Sequence, residues 1–452
     1  MRSWAACGYK QGMSDATLAV QAAVRLRSPE RRQCEMVVQC ADDLVGPNHA
    51  VRLILGVVEQ LDVSRFCEPI KAREGQAGRD ATDPRLLVAL WLYACIRGIG
   101  SARELARRCQ ESAPFRWLCA DITVNHRLLS DFRTDHAVAL DELFTRVIAS
   151  LVDQDIIKVQ RISQDGVRVR VSAGASSFRR EQRLRELLKQ AQEHVQELRQ
   201  QMESPEFAAL RARQRAARQR AAQERQQRLE QAIAQLPELQ ERQAEAQKRA
   251  GQGAYGKKVR QREPRVSTTD AETRRMKMPN GGFHPAVNVQ LATDTDSRAI
   301  VGVQVSNAGS DAAGLSEPMR EQVEQRSGKK VAQQLLDGGY LRNEDLERAH
   351  EQGVQLFVPP KAAKNPENHG RELQPRPGDS QALLAWKRRM ASAEGKKIYQ
   401  QRAATSETVN ADLRSYRGLV PFTVRGLRKI TCVVLWCALA YNILHFAAAL
   451  RS

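Results

Sequence analysis

Between residues 178 and 250 the chain consists almost wholly of Ala, Arg, Gln, Glu and Leu, as in FRREQRLRELLKQAQEHVQELRQQ and ALRARQRAARQRAAQERQQRLEQAIAQLPELQERQAEAQKRA. That composition predicts long solvated helices or a helical hairpin, with Ser204-Pro205 as the turn between two arms. A segment of this kind does not supply a globular core. Strand patterns lie on both sides of it, so a sheet that uses both must close around a helical excursion. Its basic run RARQRAARQRAAQERQQR reads either as a solvent-exposed arm or as a non-specific grip on phosphates.

Upstream, residues 45–150 read as short helices. NHAVRLILGVVEQL and TDPRLLVALWLYACIRGIG have apolar residues at helical spacing. In the second, Thr82 or Asp83 is the expected N-cap, Pro84 fits the first turn, and Gly98 and Gly100 end it. SARELARRCQES and NHRLLSDFRTDH follow as two arginine-bearing helices. They read either as a helix-turn-helix that offers one helix to a DNA groove or as an ordinary bundle with a basic outer face. KVQRISQDGVRVRV, residues 158–171, alternates like a strand. Read locally, Asp165-Gly166 is a hairpin turn between two short runs.

The globular pattern resumes near residue 265. HPAVNVQLATDTDSRAIVGVQVSN predicts two strands joined by the polar turn TDTDSR. A helix ending at Gly328, the strand KVAQQLLD, a helix over RNEDLERAHEQG and the strand VQLFVPPK come next. A Pro-, Asn- and Gly-rich linker covers about 359–380, and two helices finish the chain, interrupted near SYRGLVPF. This order predicts an α/β fold, a mixed sheet covered by helices, with sites at strand ends near a break in connectivity.

The formal net charge of +19 favours a polyanionic partner, nucleic acid or an acidic membrane surface. Aromatic residues make up only 5%, which argues against base-stacking platforms. The apolar stretch ITCVVLWCALAYNILHFAAAL, residues 430–450, is long enough for a bilayer. Asn442 and His445 inside it favour a buried core helix instead. The nine cysteines include no C-x-x-C and read as reduced thiols, which fits a cytoplasmic protein. MRSWAACGYKQGM has no continuous apolar core, so it is not read as a secretory signal. Residues 1–44 are expected to be a poorly ordered or helical extension.

Three carboxylates stand out. Asp337 ends its strand and is followed by two glycines, which leave space for a ligand and permit unusual dihedrals. Asp165 lies in the first strand of the same sheet. Glu407 lies in EGKKIYQQRAATSETVNADLRSYRG, where 399, 403, 407, 410 and 414 read as one helix face with Tyr399, Glu407 and Arg414 in line and Arg402 close by. Three carboxylates without His or Cys partners suit Mg²⁺ or Mn²⁺. Two such ions about 4 Å apart activate a water or 3′-hydroxyl and stabilise the leaving oxygen in phosphoryl transfer.

In this order, DPRLLVALWLYACIRGIGSARELARRC, FRWLCADITVNHRLLSDFRTDH, QDGVRVRVSAG, STTDAETRRMKMPNGGFHPAVNVQLATD, LLDGGYL and IYQQRAATSETVNADLRSYRGLVPFTVRGLRKI resemble insertion-sequence transposases of the DDE type. The resemblance runs from about residue 45 to the C-terminus, and is to the subgroup with a long helical insertion after the first aspartate. It implies a ribonuclease H-like core over 156–177 and 265–452, a helical DNA-binding domain over 45–155, and a coiled-coil-like basic insertion over 178–264. Asp165, Asp337 and Glu407 would be the catalytic, metal-holding acids. Tyr399, Arg402 and Arg414 resemble the residues around that glutamate which hold terminal DNA, and Arg274, Arg275 and Lys277 would also approach DNA. Two departures stand out: Arg414 replaces the commoner lysine, and the gap from Arg402 to Glu407 is one residue longer than in the best-known signature.

The resemblance implies cleavage and strand transfer at element ends with two divalent ions. It also implies double-stranded DNA, both element ends and target, as partner, a homodimer on DNA, no membrane, and a bacterial, nucleoid-associated setting. An inactive DNA-binding relative and a coiled-coil scaffold are the alternatives.

Overall fold

The computed structural model describes residues 38–75, 77–201, 212–249, 263–310, 314–361 and 371–451, with the single positions 32, 34 and 36. Most of the expected N-terminal extension, the Ser204-Pro205 turn and the middle of the 359–380 linker lie outside the described residues. Met1–Cys40 is one unit and Ala41–Ser452 a second, which contains every element below.

The second unit starts with seven described helices: α1 (Ala50–Gln60), α2 (Ser64–Cys67), α3 (Pro84–Ile96), α4 (Ala102–Glu111), α5 (Ala113–Cys119), α6 (His126–Asp135) and α7 (Ala137–Asp153). Asp83 caps α3 by accepting from Arg85 N at 2.8 Å, with Pro84 in the first turn. Gly98 turns the chain away at φ +68°, and a Cβ there would lie 3.1 Å from the Tyr416 carbonyl oxygen. Of the two arginine-bearing helices, α4 neutralises much of its own charge, since Arg107 and Arg108 both pair with Glu104. Helix α6 turns Arg133 inward, where its guanidinium lies 4.7 Å from the Trp91 ring centroid and donates to Gly100 O.

The sheet contains β1 (Arg161–Arg170), β4 (Arg274–Lys277), β5 (Phe283–Asp294), β6 (Ile300–Ser306), β7 (Gln333–Leu335) and β8 (Gln355–Phe357). A separate two-stranded ribbon joins β2 (Phe178–Arg179) to β3 (Val266–Ser267) at the root of the insertion. Strands β4 and β6 pair with one edge of β5, and β1 pairs antiparallel with the other. Strands β7 and β8 then extend the sheet in parallel with β1. The expected hairpin of β5 and β6 forms. Asp165-Gly166, however, is not a turn. It lies inside one continuous strand, with Asp165 opposite Leu291 and Gly166 opposite Gln290. Pairing with a long strand more than a hundred residues away overrides the local preference for a turn. Strand β7 is also shorter than KVAQQLLD suggested.

Helix α8 (Glu181–Gln201) packs on α9 (Ala212–Ala234), and α10 (Leu236–Arg249) follows. Their small apolar contact of Leu184, Ala191, Leu229 and Ala232 is closed by Val266 and Ala271 at the sheet side. Beyond the sheet's first half come α11 (Ser316–Ser327), α12 (Asn343–Glu351), α13 (Gln381–Ala391), α14 (Ala393–Arg402), α15 (Thr408–Tyr416) and α16 (Leu427–Phe446). Gly328 ends α11 in the left-handed region, as expected.

One apolar core runs from α1, α3 and α7 across β1, β5 and β6 to α16. By length and composition α16 could cross a bilayer. Here α3, α6, α7 and β6 pack against it. Its Asn442 is fully buried and satisfied, accepting from Ile300 N at 2.9 Å and donating to Ile300 O at 2.8 Å. An unpaired buried amide would cost roughly 1–3 kcal/mol, so this side chain ties helix and sheet edge together.

Candidate active site

The register of β1 against β7 places the first two carboxylates. Ile162 aligns with Gln334 and Ser163 with Leu335 in parallel pairing. Two residues further along each chain stand Asp165 and Asp337. Side chains two residues apart share a face, and neighbouring strands lie about 4.8 Å apart. Asp337 stands two residues past the end of β7, in extended backbone, so continuing the register sets it level with Asp165 on the same side of the sheet. Asp337 accepts the turn that follows, from Tyr340 N to its carbonyl oxygen at 3.0 Å. The expectation of unusual dihedrals at Gly338 and Gly339 fails, for neither has a positive φ. Both sit in an ordinary 3-10 turn, with Pro359 near Gly338.

A network on the opposite face fixes that register. Gln164 donates to Gln290 Oε1 at 3.0 Å and accepts from Gln334 Nε2 at 2.8 Å. The same amide nitrogens reach Leu315 O and Ser316 O at the start of α11, and the Tyr340 hydroxyl donates to Gln290 Oε1. All three glutamines are fully buried. A one-residue slip would exchange the faces and leave every one of these amides unpaired.

Glu407 arrives on the helical run that begins at α13. Ser392 separates α13 from α14 and accepts from Gly395 N at 2.9 Å. A Cβ on Gly395 would stand 1.9 Å from Arg389 O, so the corner requires glycine. Helix α14 then passes into a π turn, Ala403–Glu407, before α15. This turn accounts for the longer gap in the signature. In a regular helix, residues five apart point about 140° away from each other. A π turn closes on i→i+5 and brings them over one another. Arg402 Nη1 accordingly lies 3.8 Å from Glu407 Oε1. Ser406, buried beside Glu407, shares a hydroxyl hydrogen bond with Ser163 of β1. Arg161 completes the attachment, with Nε to Gln333 Oε1 and Nη1 to Gln401 Oε1, both at 2.6 Å.

Arg402 Nη2 also donates to Asp165 Oδ1 at 3.0 Å, so its guanidinium lies between two of the three acids. Its buried Nε has no partner among the described residues. Asn410, one turn beyond Glu407, donates to Asp165 Oδ2 at 2.9 Å. Burial raises the Asp165 pKa; Arg402 and the Gly166 N–H pull it down, and Asp337 adds a further upward push. Burial opposes the charge of Arg402, yet Asp165, Tyr399, Asp337 and Glu407 outweigh it and its pKa is raised. Half-buried Tyr399 is raised chiefly by burial and feels Arg402 and the same three acids. The acids thus share one electrostatic neighbourhood, although 172 residues separate the aspartates in sequence.

A cavity of about 400 Å³ opens at this place, lined by Asp165, Arg168, Pro279, Glu407, Asn410 and Arg414 among others. Arg168 Nη1 donates to Lys277 O at 2.9 Å, which brings the end of β4 to the rim. Arg275 and Lys277 share an exposed face of β4. Arg274 is turned inward, bonded to the carbonyls of Ala271 and Thr273 and, at 2.7 Å, to Gln235 of the insertion. The lining offers carboxylate and amide oxygens and no His or Cys, donors that suit a hard divalent cation. Among the described residues no three His, Cys, Asp or Glu side chains stand close enough to ligate one ion together. At this site the Arg402 guanidinium separates the acids. Asn410, Ser163 and Ser406 were not singled out from sequence. The signal for Asn410 was its place three residues after Glu407 on one helix face.

Residues 39–135 match the family described as Transposase domain (DUF772), and residues 251–443 match Transposase DDE domain. Asp337 and Glu407 fall within the second match, and Asp165 within neither. No curated protein and no solved structure matches the chain. The two family matches together span well over half of it, and the mixed sheet flanked by helices is the architecture that the resemblance implied. The chain belongs to the DDE transposases of insertion sequences, metal-dependent phosphoryl transferases that act on DNA through a ribonuclease H-like core.

Proposed function

We propose that Asp165, Asp337 and Glu407 are the catalytic carboxylates of this transposase, and that they hold two Mg²⁺ or Mn²⁺ ions. The observation that supports the reading is the parallel register of β1 with β7, which ends two residues short of both Asp165 and Asp337, with the Glu407 turn fastened to β1 through Ser406 and Ser163. The bound ions would supply Lewis-acid stabilisation of the scissile phosphate and a more acidic attacking hydroxyl. The chain's own groups prepare the site. Asn410 fixes the Asp165 carboxylate through Oδ2. Arg402 neutralises Asp165 and Glu407 in the free protein and turns to a DNA phosphate once the acids are otherwise engaged. Arg414 lines the cleft and Tyr399 lies within the electrostatic reach of the three acids, and both would orient the strand end.

In this reading water first cuts the element end and frees a 3′-hydroxyl, which then attacks a target phosphate. Arg275 and Lys277 approach the duplex from the exposed face of β4, whereas Arg274 supports them from within. Residues 45–155 serve DNA binding, 156–177 with 265–452 catalysis, and 178–264 is the helical insertion that marks the subgroup. Two DNA ends need two such sites, so the working form is a homodimer on DNA. Asp337→Asn tests the assignment. The purified variant should bind end DNA like the wild type and cut at least a thousandfold more slowly in Mg²⁺, on the order of 4 kcal/mol in the barrier. Cleavage at the wild-type rate would end the assignment.

A further inference from the structure

The root of the helical insertion holds a second charged concavity that the carboxylate site does not use. Arg179 of β2, Arg183 of α8, Arg225 and Arg228 of α9, and Arg425 just before α16 line one cavity of about 440 Å³. The five guanidinium groups come from three separate stretches of chain, so a single helical stripe does not explain them. No carboxylate lines the cavity. Arg183 pairs with Glu186 at 2.7 Å and Arg228 reaches Glu224 at 3.8 Å, both outside the lining. Arg179 and Arg225 have no acidic partner among the described residues. Thr268 and Thr269, beside β3, add two hydroxyls.

Like charges gathered in a concave surface repel one another, by about 1 kcal/mol per pair at 4 Å even in water. An oxyanion removes that cost and accepts several guanidinium forks at once. Threonine hydroxyls and arginines are the groups that hold DNA phosphates. Leu187 and Leu229 are the only apolar side chains in the lining, and no aromatic ring is present for a base to stack on. The chemistry is that of a backbone clamp rather than a base reader.

Position adds the second argument. Arg425 Nε donates to Ser172 O at 3.3 Å. Ser172 lies just past the end of β1, seven residues beyond Asp165. At about 3.3 Å per residue Ser172, the attachment point of Arg425, stands at most roughly 23 Å from Asp165 along the strand. A duplex rises about 3.4 Å per base pair, so that span corresponds to about seven base pairs. We propose that the Arg179–Arg183–Arg225–Arg228–Arg425 concavity binds the phosphodiester backbone of duplex DNA to one side of the cut, within about seven base pairs of the phosphate held at the carboxylates. The spacing rests on the catalytic reading above; the binding itself does not.

Binding of a fluorescein-labelled duplex of the element's terminal sequence to the full chain, in EDTA across a salt series, tests it. The triple variant Arg225→Ala, Arg228→Ala, Arg425→Ala should flatten the slope of log K against log salt by roughly 2–3 units, about 0.9 for each lost phosphate contact. The matched lysine triple should keep most of the slope. Removing three arginines elsewhere on α9, Arg213, Arg218 and Arg220, should change it less. Equal losses in the two alanine triples would show diffuse charge and overturn the clamp. Phosphate-ethylation interference on the wild type needs no variant to fold, and an interfering phosphate to one side of the cut, within about seven base pairs of it, supports the proposal. Interference confined to the cut site overturns it. Pyrophosphate that binds the wild type tightly, and the alanine triple weakly, would reassign the cavity to a free anion, and tighter pocket-dependent binding of an RNA of the same sequence would reassign it from DNA. Because no metal is present, these outcomes are independent of whether Asp337→Asn cuts.

Discussion

Gln164 and Asp165 are neighbours on β1 and point to opposite faces of the sheet. On the Gln164 face Gln290, Gln334, Tyr340 and the carbonyls at the start of α11 form one connected amide network around Gln164. On the Asp165 face the charges do not balance. Asp165 and Asp337 repel, burial disfavours the Asp165 charge, and a single guanidinium lies between Asp165 and Glu407. The comparison teaches that rigidity and reactivity are separated by one residue of pleat. The satisfied face holds the register that obliges the unsatisfied face to keep its acids together.

Breaking the satisfied face should have the larger effect. Gln164→Leu removes one buried hydrogen bond from each of Gln290 and Gln334 and leaves those polar atoms short of a partner facing a methyl group. Urea denaturation should show a loss of about 2–4 kcal/mol, with cleavage falling alongside it. A loss under about 0.5 kcal/mol would mean that the amide network does not hold the register. Asn410→Ala touches only the reactive face. By analogy with partners that orient metal-holding carboxylates, it should weaken Mn²⁺ binding, measured by titration calorimetry, about 10- to 100-fold. The melting temperature should stay near that of the wild type. Unchanged Mn²⁺ affinity would remove Asn410 from the site.

The smallest effect is on pH dependence and sharpens the contrast between the faces. The Asp165 pKa in the fold lies above its ordinary value of 3.8, chiefly through burial. Between those two values the folded chain keeps a proton that the unfolded chain has lost. Metal-free stability therefore declines as pH rises through that window and levels off above it. Asp165→Asn should lack this decline in urea midpoints taken in EDTA from about pH 4 to 7. Relative to that variant, a wild type that gained stability over the window would contradict the raised pKa.

Much of this was legible in the chain, and the failures share a cause. The β5–β6 hairpin and the Gly328 helix end depend on near neighbours, and the pattern of residues predicts them, whereas the strand expected to end on Asp337 stops two residues earlier, at Leu335. Read locally, Asp165-Gly166 suggests a turn because turn preference is local, whereas the strand that holds it straight, β5, lies more than a hundred residues on. Gln164 looks like a solvent-facing polar residue in an alternating strand. Its partners are 126 and 170 residues away, so no local pattern shows that it is buried. The π turn was hidden because a period of 3.6 was assumed through Ala403–Glu407. Read that way, the extra residue looks like a defect in the signature, whereas the turn brings Glu407 back to Arg402.

Anomalous diffraction from Mn²⁺-soaked crystals of the transposase bound to its end DNA tests the central claim most directly. The account predicts manganese bound by Asp165, Asp337 and Glu407, two ions about 4 Å apart, with the Arg402 guanidinium moved off Asp165 onto a phosphate. Manganese located elsewhere, or an Arg402 still lodged between Asp165 and Glu407 in the loaded complex, would contradict it.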